Sequence, residues 1–174
     1  VNALPDPTVT AGSATTFCSG GSVTFTTVTT GNTYQWQLNG SDIGGASANS
    51  YTANVSGNYS VIVTNISGCT ATSTAQAVMV NALPDNSVTI SGATMFCQGD
   101  SVILTAANGL TYQWMLNGSN IAGANAESFT ANANGNYSVA VNNSSCANTS
   151  GFTSVTVNSV PSQPVIIKVG NTLT

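Results

Sequence analysis

Charge is what this sequence lacks most. It has no histidine and no arginine, and of its 174 residues only Asp6, Asp42, Asp85, Asp100, Glu127 and Lys168 are formally charged. A surface without clustered Lys or Arg offers nothing to a phosphate backbone or an anionic headgroup, so nucleic-acid binding and electrostatic membrane attachment are excluded as function classes. Acid–base and nucleophilic catalysis need titratable groups held together. Scattered carboxylates and one lysine cannot supply them, so no enzyme activity and no cofactor are expected. The absence of histidine and of any Cys-x-x-Cys pair argues against zinc, and too few acidic oxygens cluster for calcium, so no metal is expected either. Asp6, Asp85 and Asp100 fall near turns, where they read as Asx-turn residues. No apolar run reaches the length that spans a bilayer, so no direct membrane insertion is expected. The chain opens at Val1 with neither an initiator methionine nor a signal peptide, and is expected to be cut from something longer.

What the sequence has in abundance is Thr, Ser, Asn and Gly, and an internal repeat. Thr33-Tyr34-Gln35-Trp36-Gln37-Leu38-Asn39-Gly40 returns as Thr111-Tyr112-Gln113-Trp114-Met115-Leu116-Asn117-Gly118. Tyr, Trp and Leu alternate with polar residues, the pattern of a strand with one buried face, and Asn-Gly supplies the pair of positive φ angles that a tight hairpin needs. Val1-Asn2-Ala3-Leu4-Pro5-Asp6 recurs as Val80 to Asp85, and more loosely as Val157-Asn158-Ser159-Val160-Pro161-Ser162. These prolines mark joints. The domains are therefore read as residues 1–80, residues 81–158, and residues 159–174 as a linker and first strand of a further, truncated module. Val165-Ile166-Ile167 and Val169 would form that strand.

Each module carries two cysteines, Cys18 and Cys69, then Cys97 and Cys146. Four cysteines permit three pairings, and repeat symmetry favours Cys18–Cys69 and Cys97–Cys146, because a module of this size gains from closing itself. Each bridge would enclose a loop of roughly fifty residues, which the chain-entropy view values at about 4 kcal/mol. Disulfides imply an oxidising, extracellular compartment.

Short strands follow one another at regular spacing: Thr8 to Thr10, Phe17-Cys18, Ser22 to Thr26, Thr33 to Leu38, Ser41 to Ile43, Ser50 to Asn54, Gly57 to Val63, and a last one from Thr70 to Val80. Val23 and Phe25 should face inward, as should Tyr59, Val61 and Val63. Turn residues every eight to twelve positions and no helical periodicity predict an all-β fold of tandem β-sandwiches arranged end to end. Tyr34, Trp36, Tyr51 and Tyr59, with Tyr112, Trp114, Phe129 and Tyr137, all fall on inward positions. Trp36, Trp114, Tyr59 and Tyr137 are the expected core, and a carbohydrate-binding module, which needs exposed aromatic platforms, is disfavoured. Phe17 and Phe96, beside the cysteines, are the least determined.

A buried Trp on a central strand, with Gly57-Asn58-Tyr59 and Gly135-Asn136-Tyr137 entering a later one, resembles the immunoglobulin plan, the Tyr standing as its tyrosine corner. Val61 and Val139 occupy the place of the second core cysteine, so the inter-sheet disulfide of antibody domains is missing. The string Phe-Cys-x-Gly-x-Ser-Val, then Tyr-Gln-Trp-x-Leu-Asn-Gly-Ser-x-Ile-x-Gly-Ala, then Gly-Asn-Tyr-Ser-Val and a late Cys, is similar to bacterial Ig-like (PKD-like) repeats of large Bacteroidota cell-surface proteins exported by type IX secretion. That resemblance implies a structural repeat of an extracellular adhesin or filament stalk, whose partners are neighbouring Ig-like modules of the same or an adjacent chain. Surface glycans or host surfaces would be met through other parts of the protein. The same repeat also serves as a spacer in secreted multidomain enzymes. Asp100-Ser101-Val102 resembles the O-glycosylation site of that bacterial group, which makes Ser101 a candidate for modification.

Overall fold

The computed structural model of the chain describes residues 2–27, 32–109, 111–163, 168–169 and 172–173. Two compact units divide it, Val1–Leu83 and Pro84–Thr174. The described residues are all strand, turn and loop, with no helix among them.

In the first unit the strands are β1 (Val9–Ala11), β2 (Thr16–Cys18), β3 (Val23–Thr27), β4 (Thr33–Leu38), β5 (Ser41–Asp42), β6 (Ser50–Ala53), β7 (Gly57–Thr64), β8 (Thr70–Thr72) and β9 (Gln76–Asn81). One sheet has the order β1-β3-β6, the other β2-β9-β7-β4-β5, with β8 also on β7. The second unit repeats this strand for strand: β10 (Val88–Ser91), β11 (Met95–Cys97), β12 (Val102–Ala106), β13 (Thr111–Leu116), β14 (Ser119–Asn120), β15 (Ser128–Ala131), β16 (Gly135–Asn142), β17 (Ala147–Thr149) and β18 (Thr153–Asn158). Neighbours are antiparallel except β2 on β9 and β11 on β18, which run parallel. Each unit is an immunoglobulin-like sandwich by strand order and by core.

Period-two alternation fixes which side chains meet between the sheets. Val23 and Phe25 of β3 and Ala53 of β6 pack against Trp36, Tyr59, Val61, Val63 and Val78, all buried. Val102, Leu104 and Ala131 meet Trp114, Tyr137, Val139, Val141 and Val155 in the same way. In the first unit Phe25, Trp36, Tyr51 and Tyr59 form a ring of aromatic contacts with centroids 5.7 to 6.2 Å apart. Leu104 replaces Phe25 in the second, leaving Trp114, Phe129 and Tyr137 in line.

The hairpin after the Trp strand is the tight one the sequence predicts. Leu38 pairs with Ser41, and Asn39 and Gly40 between them have φ of 52° and 81°, values near those of a type I′ turn. Asn39 then does a second job. Its Oδ1 accepts the Asn58 N–H at 2.9 Å, and its own N–H donates to the Asn58 carbonyl at 2.8 Å, clamping the turn to the start of β7. Asn117 holds Asn136 identically.

The expected last strand, Thr70 to Val80, is two strands. Between Ile62↔Thr72 and Tyr59↔Gln76 the chain advances three positions on β7 but four on its partner, so one extra residue is accommodated as a bulge. Ser73 fills the break, its Oγ accepting the Val61 N–H at 3.0 Å while its N–H donates to the Val61 carbonyl. Ser150 does the same for Val139. Nothing in the apolar alternation marks such an insertion, because a serine facing a backbone reads like any polar strand residue.

Residues 165–167 of the expected tail strand lie outside the described residues. Lys168–Val169 (β19) pairs antiparallel with Thr172–Leu173 (β20), so Val169 belongs to a short local hairpin.

The repeat also exposes a defect. Thr27, 2% exposed, has a hydroxyl with no hydrogen-bond partner among the described residues, and its counterpart in the second unit is the buried Ala106. Burying an unpaired hydroxyl costs on the order of 1 to 3 kcal/mol, so Thr27→Val, which keeps the shape, should raise the stability of the first unit by about 1 kcal/mol in chemical denaturation. A loss of stability would mean that the hydroxyl is satisfied.

Candidate functional site

The chemically distinctive groups of this chain are its cysteines, and strand direction decides where they sit. β2 runs parallel to β9, pairing Cys18 with Asn81, and the Ser19 N–H donates to the Asn81 carbonyl at 2.9 Å. Cys18 therefore lies at the C-terminal pole of its module, where the last strand leaves. Cys69 follows β7, in a turn built on Asn65. The Asn65 Oδ1 accepts the N–H groups of Ser67 and Cys69, both at 3.0 Å, and its Nδ2 donates to the Ala3 carbonyl at 2.8 Å. Cys69 thus lies at the N-terminal pole.

The second module repeats this. Cys97 pairs with Asn158 at the C-terminal pole, while Cys146 sits in a turn one residue shorter, its N–H held by the Asn143 Oδ1 at 2.8 Å. Nearby, Asn148 donates to the Pro84 carbonyl at 3.0 Å.

This geometry overturns the expected pairing. Cys69 and Cys97 are free thiols, whereas Cys18 and Cys146 are disulfide-bonded. Cys18–Cys69 and Cys97–Cys146 do not form because the two cysteines of a module stand at opposite ends of an eight-residue strand, β7 or β16. At about 3.3 Å per residue that strand separates them by roughly 23 Å, and a disulfide needs Cα atoms within about 7 Å. Repeat symmetry identifies which cysteines are equivalent, but it does not say at which end of the sandwich each one lies.

The aromatic side chains are spent on the core. Trp36 and Trp114 are fully buried, their Nε1 atoms donating to the Ala48 carbonyl at 2.9 Å and the Ala126 carbonyl at 3.0 Å. The Tyr59 hydroxyl donates to the Val55 carbonyl at 3.1 Å and the Tyr137 hydroxyl to the Ala133 carbonyl at 3.0 Å, the tyrosine-corner bond in both copies. Burial, reinforced by the neighbouring Tyr51, pushes the Tyr59 phenol above its ordinary range. Phe17 and Phe96, undetermined from the sequence, pack half-buried against the two cores. Of the described aromatic residues, Phe152 stands clearly in solvent, at 70% exposure.

The remaining polar groups are mostly turn formers. Asp6 accepts the Thr8 hydroxyl at 2.6 Å and the Thr8 N–H at 2.9 Å, which hold its carboxyl below the ordinary range. Asp85 accepts the Ser87 N–H at 2.9 Å. Among the described residues no group of three His, Cys, Asp or Glu side chains is placed to hold a metal. Ser101 is exposed on the segment before β12. An open, polar recess at the C-terminal pole of the second module is lined by Gln98, Asn132, Asn134 and Asn158. Asn134 is already committed there, bonding both the N–H and the carbonyl of Val157. No helix among the described residues is long and apolar enough to cross a membrane.

No family model matches the sequence, and no curated protein matches it. Among solved structures, the fibronectin(III)-like modules of Clostridium thermocellum CbhA align at 15% identity and a TM-score of 0.40, over 86% of this chain and 93% of that one. A marsupial T cell receptor aligns at 16% identity and a TM-score of 0.44, over 94% of this chain and 77% of that one. The tandem Ig repeats of Dlar align at 14% identity and a TM-score of 0.34, over 83% and 93%. The immunoglobulin-like plan itself rests on the strand order and the core of each module.

Proposed function

We propose that this chain is a non-catalytic structural repeat of an extracellular adhesin or filament stalk, in which successive modules set end to end extend and display adhesive parts located elsewhere. The observation that carries the reading is the parallel pairing of β2 with β9, and of β11 with β18. In each module an early strand and the final strand lie side by side and point the same way. Tension on the two ends then pulls these strands in opposite directions along their length and loads their hydrogen bonds together. In module one these include Thr16 to Cys18 against Met79 to Asn81, flanked by bonds from Met79 N–H to the Thr15 carbonyl and from Ser19 N–H to the Asn81 carbonyl. A ladder loaded in shear resists far better than one opened bond by bond.

Three further features support the reading. The described tryptophan and tyrosine rings are packed in or against the cores rather than displayed, so aromatic recognition has little to work with. The surface is neutral and hydrated, with six formal charges in the whole chain. The disulfide-bonded state of Cys18 and Cys146 fits an oxidising compartment outside the cell. The resemblance to repeats of Bacteroidota surface proteins adds type IX export and neighbouring Ig-like modules as partners, and Ser101 as a glycosylation site open to solvent. Pulling the chain by its ends tests the reading, because high-force, all-or-none rupture of each module is a property that a stalk requires and a binding module does not.

A further inference from the structure

We propose that Asn108 is a self-modifying site: the backbone nitrogen of Gly109 attacks its side-chain carboxamide and converts it, through a cyclic imide, to aspartyl and isoaspartyl products, with the Tyr112 hydroxyl as the brake.

The sequence contains four Asn-Gly steps, beginning at Asn39, Asn108, Asn117 and Asn134. A glycine nitrogen has no neighbouring side chain to shield it, so an asparagine before it is chemically labile unless the fold restrains the pair. Three of the four are restrained through the carboxamide. The Oδ1 atoms of Asn39 and Asn117 accept the N–H groups of Asn58 and Asn136, each at 2.9 Å, and both asparagines sit in a two-residue hairpin turn. Asn134 bonds Val157 through both ends of its amide, at 2.6 and 3.2 Å. Ring closure at these positions must break the clamp and also rotate the backbone of a hairpin or of the entry to β16. Asn108 differs. It is exposed in the connection between β12 and β13, and its side chain has no hydrogen-bond partner among the described residues. The restraint there is on the attacking atom instead: the Gly109 N–H donates to the Tyr112 hydroxyl at 2.9 Å, and that hydroxyl donates to the Gly109 carbonyl at 3.3 Å. Glycine is required at 109, because a methyl group there would run into Val141 Cγ1. In the first module the corresponding letters are Thr30-Gly31, and threonine has no carboxamide.

The Gly109 nitrogen gives up its proton to solvent base and bonds to Asn108 Cγ, and the carboxamide nitrogen leaves as ammonia. Water then opens the imide at either carbonyl. Opening at Cγ gives the aspartyl product, and opening at the main-chain carbonyl gives the isoaspartyl one. One water is consumed, one ammonia is released, and nothing is oxidised or reduced. Tyr112 acts on the first step. A neutral phenol is too weak a base to take an amide proton, so the N–H must leave the hydroxyl before solvent can remove it. The product adds a carboxylate to a chain with five acidic side chains. The isoaspartyl form also lengthens by one backbone carbon the connection that carries the chain from the β10-β12-β15 sheet to the sheet of β13. The change runs one way and needs no partner, so the second module carries a record of its age at a position where the first has Thr30. It is independent of the stalk reading, since neither tension nor a neighbouring module enters the reaction.

The test incubates the folded 174-residue chain in heavy-oxygen water at mildly alkaline pH, then digests it in ordinary water for peptide mapping by mass. Labelled acid should accumulate at position 108 roughly tenfold faster than at 39, 117 or 134, because each of those must give up two hydrogen bonds worth a net factor of a few apiece. In denaturant the four rates should converge, since the fold alone separates them. Tyr112→Phe should speed conversion at 108 by roughly 2- to 10-fold, the net range of one hydrogen bond. Asn108→Thr should abolish it. Asn117 and Asn134 lie in the same module and report on its folding, so the acceleration must be confined to 108. Conversion at 108 no faster than at the clamped positions, or a difference that survives denaturation, would overturn the site. A Tyr112→Phe rate at or below that of wild type, or an acceleration shared by 117 and 134, would overturn the brake.

Discussion

Trp36→Ala should destabilise the first module by about 3 to 5 kcal/mol, and Trp114→Ala the second by a similar amount. Each indole is fully buried between the sheets, so truncation leaves a cavity in a small core, and it orphans the Ala48 or Ala126 carbonyl that the Nε1 proton serves. The loss in the first module includes the ring contacts with Phe25 and Tyr51, at centroid distances of 6.2 and 5.9 Å. A module of this size has a total margin of about 5 to 10 kcal/mol, so the change removes a large share of it. Chemical denaturation of each variant gives the magnitude. Iodide quenching of the native chain checks the premise, since ready quenching of either tryptophan would place it in solvent and the strand register would be wrong.

Gly57→Ala and Gly135→Ala should cost about 2 to 4 kcal/mol each. Both glycines open the long central strand with φ of 154° and 147°, a region L-residues rarely occupy. A methyl group there would also run into Leu38 Cδ1 or Leu116 Cδ1, with the clamping side chain of Asn39 or Asn117 close behind. The substitution thus strikes the backbone conformation, the leucine and the asparagine clamp together. Gly44→Ala is the control, because its Cβ would meet open space. If Gly57→Ala cost no more than Gly44→Ala, the account of this turn would fail.

Much of this fold could be read from the residues, and the reasons differ from element to element. The Trp strand, the Asn-Gly turn and the tyrosine corner are local: alternation and a short turn motif determine them, and the repeat states each twice. The inward faces of β3 and β7 follow from the same alternation. The break at Ser73 and Ser150 was not legible, because a bulge depends on the register against a partner strand distant in sequence. The cysteine pairing was read wrongly for a related reason. Equivalence between modules is visible in the letters, but which pole a cysteine occupies depends on whether its strand runs parallel or antiparallel to its neighbour. The parallel placement of β2 on β9 decides this, and it is also the feature from which load-bearing is argued.

That feature is tested most directly by stretching single molecules of the chain from its two ends in reducing buffer, where tension must pass along the whole backbone. Each module should yield in one high-force event, and each event should release about 200 Å of chain, as expected when residues 16–81 or 95–158 extend at about 3.5 Å per residue. Gradual lengthening at low force, strand after strand, would show that the parallel pairs do not carry the load, and would contradict the reading of this chain as a mechanical repeat.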